Sequence, residues 1–275
     1  MTKVLIDGDI VAYRAAAIIE SDFWEGHKKS LGSLYSFKER DPDLFKDMFL
    51  QDHEYQLNRT LDKVEGIIDR LLTNLQDFDP SLIFLGPDEC EVFLTGPDNF
   101  RYDVAVTHPY KGHRGSNKKP VLLSDVRQHL VDNWGAQISE GEEADDLIAI
   151  AATKYGPEAV VVSIDKDMLQ IPCRHYNFVK GEWSEVSEFE GLKFFYSQIL
   201  TGDSADNIVG LHRVGPKRAE TLLSGCSDEQ GLWSAVVKAY EGDVDRVIEN
   251  ARLLWLRRKE DEIWEPPDHL RQKAD

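Results

Sequence analysis

The segment EADDLIAIAATKYGPEAVVVSID, residues 143–165, carries the pattern that decides the fold. Its first part predicts a helix that ends at Gly156. Its second part is a continuous apolar run of strand length, which is typical of a strand buried on both faces. A short strand is expected just before the helix, in GAQISEG at residues 135–141. The order strand–helix–strand therefore predicts one unit of a parallel sheet that is covered on both faces.

Other segments continue the same alternation. KVLID at residues 3–7 predicts a buried strand followed by a helix, and SLIFLG at residues 81–86 predicts a second strand, from which a loop with Gly96 and Pro97 leads on. A long helical pattern connects the two strands. After about residue 186 only helical patterns remain. We expect an α/β fold with a helix-flanked parallel-sheet core at 1–186 and a helical portion at 187–275.

Bulk composition sets loose limits on function. The 275 residues are 41% hydrophobic, enough for one large domain or a domain with an appendage. No apolar stretch reaches the roughly 20 residues of a membrane span, and the N-terminus passes directly into a strand pattern, so we expect no membrane segment and no signal peptide. Three distant cysteines fit a reducing cytoplasm. A net charge of −18 disfavours nucleic acid only weakly, because a local basic patch can override it.

Acidic residues follow the predicted strands or begin the helices next to them. Because the carboxyl ends of parallel strands meet at one edge, we expect these side chains to converge. Crowded carboxylates need a cation between them, and Mg²⁺ or Mn²⁺ prefers such oxygen ligands. Two such ions would make a phosphoryl-transfer site. The acids are Asp7, Asp88, Glu143, Asp145, Asp146, Asp165, Asp167, Asp203 and Asp206.

Simpler interpretations of some acids stay open. Acids in the first turn of a helix are favoured by the helix dipole, which would account for Glu143, Asp145 and Asp146 on their own. Asp167 could likewise cap a short helix over the following residues. Neither explanation covers the acids that end the strands, such as Asp7 and Asp165.

A glycine-rich turn forms the second motif, GDSADNIVGLHRVGPKRAETLL at residues 202–223. Two glycine turns flank a short connector, and Pro216 suits the first position of a helix. Backbone N–H groups at such a helix start bind phosphate, so the segment predicts a helix–hairpin–helix that holds the DNA backbone at 202–224. The residues assigned to DNA here are Gly210, Gly215, Lys217 and Arg218. The alternative is an ordinary packing corner between helices.

A basic loop, PYKGHRGSNKK at residues 109–119, forms the third motif, within an expected arch or clamp near 108–133. Lys111, Arg114, Lys118 and Lys119 supply charge for phosphates, and Tyr110 offers a ring for stacking on bases. His113 has no histidine or cysteine partner nearby and is expected to contact phosphate or solvent rather than metal. The alternative is a solvated surface loop.

These segments together resemble the 5′-nuclease superfamily, which contains flap endonucleases, the nuclease domain of repair-type bacterial DNA polymerases and phage 5′→3′ exonucleases. The matching motifs are LIDGD, FR followed by YKGHR, EADD, SIDKDMLQI and GDSADNIVGLHRVGPKRA, in the family's order. The chain length and the lack of a polymerase region look most like the stand-alone phage type.

The resemblance implies two metal groups. Asp7, Asp88, Glu143 and Asp145 would hold the first Mg²⁺ or Mn²⁺ ion, with Asp146 close by; Asp165, Asp167, Asp203 and Asp206 would hold or position the second. Lys111 and Arg114 match the family's cationic residues that contact the scissile phosphate. Relatives also bind K⁺ at the glycine hairpin.

Three departures from the family pattern bear on function. Arg213 stands where the hairpin usually has glycine, which puts the K⁺ site in doubt. The stretch before the FR pair is long, so Asp98 is a rival to Asp88 as a ligand. The arch between Arg114 and the helix at 121 is short, which favours an open clamp over a closed hole.

The expected activity is metal-dependent 5′→3′ exonuclease and 5′-flap endonuclease cleavage of DNA, or of RNA paired to DNA, with 5′-phosphate products. The expected partners are DNA with 5′ ends, flaps or nicks. We expect a monomer in the cytoplasm, the host's if phage-encoded, acting in DNA replication, primer removal or recombination. The alternatives are a catalytically silent binder of DNA junctions and an RNA-cleaving nuclease.

Overall fold

A computed structural model describes residues 2–80, 82, 89–112 and 119–267. Within this part, six strands form one sheet in the order β3-β2-β1-β4-β5-β6. The first five are mutually parallel, and the edge strand β6 is antiparallel to β5. The strands are β1 (Lys3–Asp7), β2 (Cys90–Leu94), β3 (Gln137–Ile138), β4 (Ala159–Val162), β5 (Arg174–Asn177) and β6 (Glu182–Glu185). The expected α/β class with a mostly parallel sheet is confirmed.

Helices surround this sheet and continue beyond it. They are α1 (Gly8–Glu25), α2 (Lys28–Leu31), α3 (Leu34–Arg40), α4 (Pro42–Phe49), α5 (His53–Phe78), α6 (Arg101–Val104), α7 (Leu123–Trp134), α8 (Ala144–Tyr155), α9 (Glu188–Thr201), α10 (Pro216–Leu223), α11 (Glu229–Ala239) and α12 (Val244–Leu254). Short 3₁₀ helices span Leu50–Asp52, Gly156–Glu158 and Lys166–Gln170. A small antiparallel ribbon pairs β7 (Gly202–Asp203) with β8 (Ile208–Val209). No helix in the described ranges combines the length and apolarity needed to cross a membrane.

Both faces of the sheet are buried, as the apolar strands require. Successive side chains of a strand point to opposite faces. Val4 and Ile6 therefore pack with α1, α5 and α7 in one core, whereas Leu5 packs with α8 in another. Helices α9 to α12 build a further apolar cluster after residue 187.

The second strand differs from the prediction. β2 is formed by CEVFL, which begins after Asp88 and lies in the stretch expected to be a loop. Its apolar pattern is interrupted by Glu91, whose carboxylate accepts a hydrogen bond from the Tyr155 hydroxyl of α8. SLIFLG lies almost wholly outside the described residues, and so does Asp88.

Candidate active site

A large cavity lies at the carboxyl edge of the parallel sheet, with a volume of about 760 Å³. Carboxylates from four separate segments of the chain line it: the junction of β1 and α1, the start of α8, the segment after β4, and the β7–β8 ribbon. We call it the acid cavity, and its acids are Asp7, Asp9, Glu143, Asp145, Asp165, Asp167, Asp203 and Asp206. Seven of the nine acids expected from the sequence are among them.

Local hydrogen bonds fix the acids on the sheet side of the cavity. Asp7 caps α1 by accepting from the Ile10 amide at 3.2 Å, and it accepts from the Ser163 hydroxyl at 2.9 Å. Asp165 accepts from the Asp167 amide at 2.9 Å. Asp167 in turn accepts from the Gln198 side chain of α9 at 2.8 Å. These hydrogen bonds orient the three carboxylates toward the acid cavity.

The β7–β8 ribbon joins the opposite wall to the basic loop. Asp203 accepts from the Ala205 amide at 2.7 Å, which shapes the turn. Asp206 accepts from the Tyr110 hydroxyl at 2.7 Å, and its backbone carbonyl accepts from the Lys111 amide at 2.9 Å. Residues far apart in the chain thus form one rim of the acid cavity.

Burial and mutual repulsion raise the pKa values of several of these carboxyls. Burial, followed by the charge of Asp165, raises the pKa of Asp7 to about 6. Burial, then the charges of Asp7 and Glu143, raises the pKa of Asp145 well above its usual range. Burial, then Asp165 and Asp203, raises the pKa of Asp167 to about 7. The cavity therefore holds more negative charge than its fixed cations neutralise.

The donor set of the acid cavity fits a hard divalent cation. All of its charged acceptors are carboxylate oxygens, which Mg²⁺ and Mn²⁺ prefer. Across the described residues, no three acidic, histidine or cysteine side chains converge on one point as a finished cation site. Mg²⁺ keeps several of its waters and needs few direct protein ligands, so the roomy cavity remains compatible with it.

Asp146 faces away from the acid cavity, contrary to its expected place beside the metal ligands. Its carboxylate is fully buried and accepts from Arg101 at 2.6 and 2.9 Å and from the Arg257 amide at 3.1 Å. Burial alone would raise the pKa of Asp146, but the charge and hydrogen bonds of Arg101 outweigh it, and the pKa is lowered. Asp146 also accepts from the Glu143 amide at 3.1 Å and so caps α8. We call Arg101, Asp146, Glu142 and Arg257 the arginine anchor.

Lys111 is the basic-loop residue that enters the acid cavity. Its ammonium forms an ion pair with Glu143 and lies 3.8 Å from Asp206. Its backbone is in the left-handed region, with φ of 53°. Lys119 also lines the cavity, whereas His113, Arg114 and Lys118 lie outside the described residues.

Tyr110 corrects one expectation about the basic loop. Its side chain is only 4% exposed, and the hydroxyl bonds to Asp206 and Glu143. The ring is therefore not available to stack on a base. The helix expected from residue 121 is present as α7, in which Val126 and Leu130 are fully buried, whereas residues 113–118 of the expected arch lie outside the described residues.

Asp9 is the cavity residue that sequence reasoning missed. The strand beside β1 ends at Leu94, and the next amide, of Thr95, donates to Asp9 at 2.8 Å. Asp9 also forms an ion pair with Arg127 of α7. Asp98, the expected rival ligand, is exposed and does not line the cavity. The motif LIDGD did contain the signal, because Asp9 follows Asp7 by two residues.

The two glycines of the glycine turn lie in different surroundings: Gly210 is closely packed and Gly215 is exposed. A Cβ atom on Gly210 would lie 2.3 Å from the carbonyl carbon of Thr201, so this glycine permits the close pairing of β7 and β8. Gly215 precedes α10, and Pro216 occupies its first turn. Lys217 and Arg218, which the sequence assigns to a phosphate site, follow on the exposed surface.

Arg213 adopts a glycine-like backbone between these two halves. Its φ is 60°, in the left-handed region that L-residues rarely enter. The turn therefore keeps the shape of a glycine turn although an arginine occupies it. Arg213 is exposed and lies just before the start of α10.

Comparison with known proteins gives relatives by sequence but no matching family model. A protein named flap endonuclease Xni from Vibrio campbellii is 33% identical over 163 residues, covering 52% of this chain and 62% of that protein. Another, from Shewanella piezotolerans, is 26% identical and is covered to 74%. DNA polymerase I of Rhizobium leguminosarum is 38% identical over 102 residues, which are 33% of this chain and 10% of the polymerase. The chain thus spans less than two thirds of the Vibrio relative.

Among solved structures, the phage T5 D15 flap endonuclease has a similar fold. It was solved as a pseudo-enzyme–product complex with DNA and metal ions, and the match has a TM-score of 0.57 at 14% identity. It covers 92% of this chain and 89% of the phage protein. The resemblance to the 5′-nuclease superfamily is therefore confirmed, in sequence by relatives named flap endonuclease and DNA polymerase I and in fold by the phage T5 flap endonuclease.

Proposed function

We propose that this protein is a metal-dependent 5′-nuclease that cleaves DNA at 5′ ends and 5′ flaps and leaves 5′-phosphate products. The observation that carries the proposal is the convergence of seven acids expected from the sequence on one cavity, together with Lys111. Such a group of carboxylates repels itself unless cations bind, and its natural ligand is a divalent ion together with a phosphate. The relatives named flap endonuclease support the same substrate class.

The acids are assigned to two neighbouring cation positions. Asp7, Glu143 and Asp145 would hold one ion, and Asp165, Asp167, Asp203 and Asp206 would hold or position the second. When bound, two such ions supply Lewis-acid stabilisation of phosphodiester hydrolysis. We assign Asp9 to the first group, because it lies at the end of β2 where the sequence was expected to supply Asp88.

The cationic residues are assigned to the phosphate. Lys111 lies against Glu143 and Asp206, from which its ammonium can turn to a phosphate oxygen once cations compensate those acids. Tyr110 holds this part of the loop by its hydrogen bond to Asp206. Arg114, for which the family resemblance implies the same role, completes the assignment.

The glycine turn is assigned to the DNA backbone away from the cut. Lys217 and Arg218 lie exposed in the first turn of α10, where the helix dipole and the two cationic side chains suit a phosphate. This mode of contact reads no bases, so binding should depend little on sequence and steeply on salt. The same proposal includes a K⁺ ion at the turn and RNA paired to DNA as a second substrate. It also includes a monomeric protein that acts in phage DNA replication.

A panel of 5′-labelled substrates tests the proposal. A 5′-flap duplex, a nicked duplex and a single-stranded RNA are each incubated with Mg²⁺ and with EDTA. Cleavage of the flap and nicked DNA only with Mg²⁺, and from the 5′ side, is expected. Cleavage of the RNA alone would favour the RNA-cleaving alternative. Tight binding of the flap without any cleavage would favour the catalytically silent junction binder.

A further inference from the structure

A second groove lies between α1 and α5 and has a volume of about 530 Å³. It shares no lining residue with the acid cavity, and α1 lies between the two. Ile10 and Tyr13 of α1 line the acid cavity, whereas Arg14 and Ile18 line the groove. Phe178, in the turn after β5, closes one end. Because β5 is parallel to β1 and β4, that turn lies at the same sheet edge as the acids. We call this site the α1–α5 groove.

The α1–α5 groove is positively charged in a strongly acidic protein. Arg14, Arg59, Lys63 and Arg70 line it against two acids, Asp22 and Asp62, while the chain as a whole carries −18. Arg59 forms a 3.5 Å ion pair with Asp22. The other three cations form no ion pair with any residue in the described ranges. Cations held apart in this way suit a ligand with several negative charges.

Gly66 lies on the face of α5 that lines the α1–α5 groove. Arg59, Lys63, Gly66 and Arg70 follow at spacings of four, three and four residues, which places them on one face of α5. A Cβ atom built on Gly66 meets nothing within 4 Å, so the space beside it is free. Glycine within a helix costs roughly 0.5–1 kcal/mol relative to alanine. A larger or charged side chain at this position would therefore enter the groove, whereas a methyl group would not fill it.

Most of the remaining lining is apolar, which favours some polyanions over others. Ile18 and Ile67 are half-buried at the floor, and Phe178 offers an aromatic ring at the end. Single-stranded nucleic acid presents both phosphates and unpaired bases, and proteins bind it with cationic grooves that contain aromatic side chains. A duplex hides the faces of its bases and cannot use such a floor.

We propose that the α1–α5 groove binds a single-stranded segment of nucleic acid that leaves the acid cavity and crosses α1 beside Tyr13. Tyr13 is 45% exposed and adjacent in sequence to Arg14, so the cavity, the ring and the first cation of the groove follow one another. The path from the cavity rests on the proposed nuclease function, whereas strand binding in the groove can be measured without cleavage.

Anisotropy of a fluorescent oligothymidylate tests the proposal in the cleavage-deficient Asp145→Asn protein. Gly66→Glu places a carboxylate in the groove, and Gly66→Ala is its matched control, which leaves the groove open. We expect Gly66→Glu to weaken binding of the single strand at least tenfold, Gly66→Ala to leave it unchanged, and neither to alter binding of a blunt duplex of equal length. Equal affinity of all three proteins for the single strand would overturn the proposal.

A charge reversal on the same helix provides a second test that does not depend on the folding of Gly66→Glu. Lys63→Glu with Arg70→Glu should also weaken single-strand binding, and should lower the slope of log affinity against log salt by about 0.7 per lost phosphate contact. The matched control is Lys154→Glu with Lys238→Glu, two exposed lysines outside the groove. A similar loss in the control would overturn the groove assignment.

Two further results distinguish this proposal from failure of the nuclease proposal and from binding of an acidic protein. If the wild-type protein fails to cleave the flap substrate with Mg²⁺, the nuclease function fails, and the anisotropy result still decides the groove. Polyglutamate that competes with the oligothymidylate at lower concentration than the oligothymidylate itself would assign the groove to an acidic protein partner and overturn the nucleic-acid proposal.

Discussion

The acid cavity and the arginine anchor are adjacent, and two consecutive residues of α8 contribute to them, one to each. Asp145 faces the cavity, where burial and other acids raise the pKa of its carboxyl. Asp146, the next residue, faces the anchor, where Arg101 lowers the pKa. Each acid of the anchor forms an ion pair with an arginine. The cavity has more carboxylates than cationic side chains. This difference in charge compensation distinguishes the two regions.

The anchor also connects distant parts of the chain. Arg101 donates to the carbonyls of Leu253 and Trp255 at 2.8 Å each, so it joins the end of α12 to the start of α8. Arg257 donates to Glu142 at 2.9 Å. The C-terminal helices are thereby fixed to the segment that carries Glu143 and Asp145. The arginine anchor thus helps to position one wall of the acid cavity.

The largest effect is expected from removing charge in the acid cavity. Asp145→Asn with Asp165→Asn should lower the rate of flap cleavage at least about 1000-fold, which is about 4 kcal/mol of activation free energy. Because the lost charges repel their neighbours, the free energy of unfolding in EDTA should stay the same or rise. Single-turnover cleavage and urea unfolding measure the two effects. Retained Mg²⁺-dependent cleavage would contradict the site assignment.

The opposite result is expected in the arginine anchor. Arg101→Met leaves Asp146 buried without its partner, and should lower the free energy of unfolding by about 3–5 kcal/mol. Urea unfolding measures the loss. Lys180→Met is the control, because Lys180 and Glu182 form an exposed 3.7 Å pair worth about 0–1 kcal/mol. Similar losses for the two variants would remove the distinction between cavity and anchor.

Lys111 tests whether the cation paired with Glu143 serves chemistry or binding. Lys111→Ala should slow single-turnover cleavage about 100-fold, or about 2.7 kcal/mol, and should change duplex affinity little. The contrasting variant is Lys217→Ala in the glycine turn, which should weaken duplex affinity and leave cleavage at saturating protein nearly unchanged. If Lys111→Ala lost rate and affinity equally, the residue would be a binding residue only.

The sequence was sufficient for those features that depend on local pattern. The acids near β1, β4 and α8 follow a strand or lie at the start of a helix, so their positions at the sheet edge followed from the order of the elements. The direction of Asp146 could not be predicted, because it depends on Arg101, which lies 45 residues earlier in the chain. β2 was missed because Glu91 interrupts its apolar run, and with it the place of Asp9 beside Thr95. These errors share one cause, which is a tertiary partner of a polar residue.

A smaller effect distinguishes the two regions without any mutation: the pH dependence of the free energy of unfolding. Burial raises the pKa of Asp7 to about 6 and that of Asp167 to about 7, so between pH 8 and pH 5 the folded state binds protons that the unfolded chain does not. The free energy of unfolding in EDTA should therefore increase as the pH falls through this window, which raises the melting temperature by roughly 2–4 °C per kcal/mol. The lowered pKa of Asp146 acts only at more acidic pH, where its stabilisation is lost.

Calorimetry at pH 8, 6.5 and 5 measures this trend. Asp7→Asn with Asp167→Asn should flatten it, whereas Asp69→Asn, at an exposed position of α5, should not. Excess Mg²⁺ should reverse the trend, because bound cations favour the ionised carboxylates and stabilise the fold most at high pH. A melting temperature in EDTA that rises from pH 5 to pH 8 would mean that the cavity acids are already neutralised within the fold, as those of the anchor are.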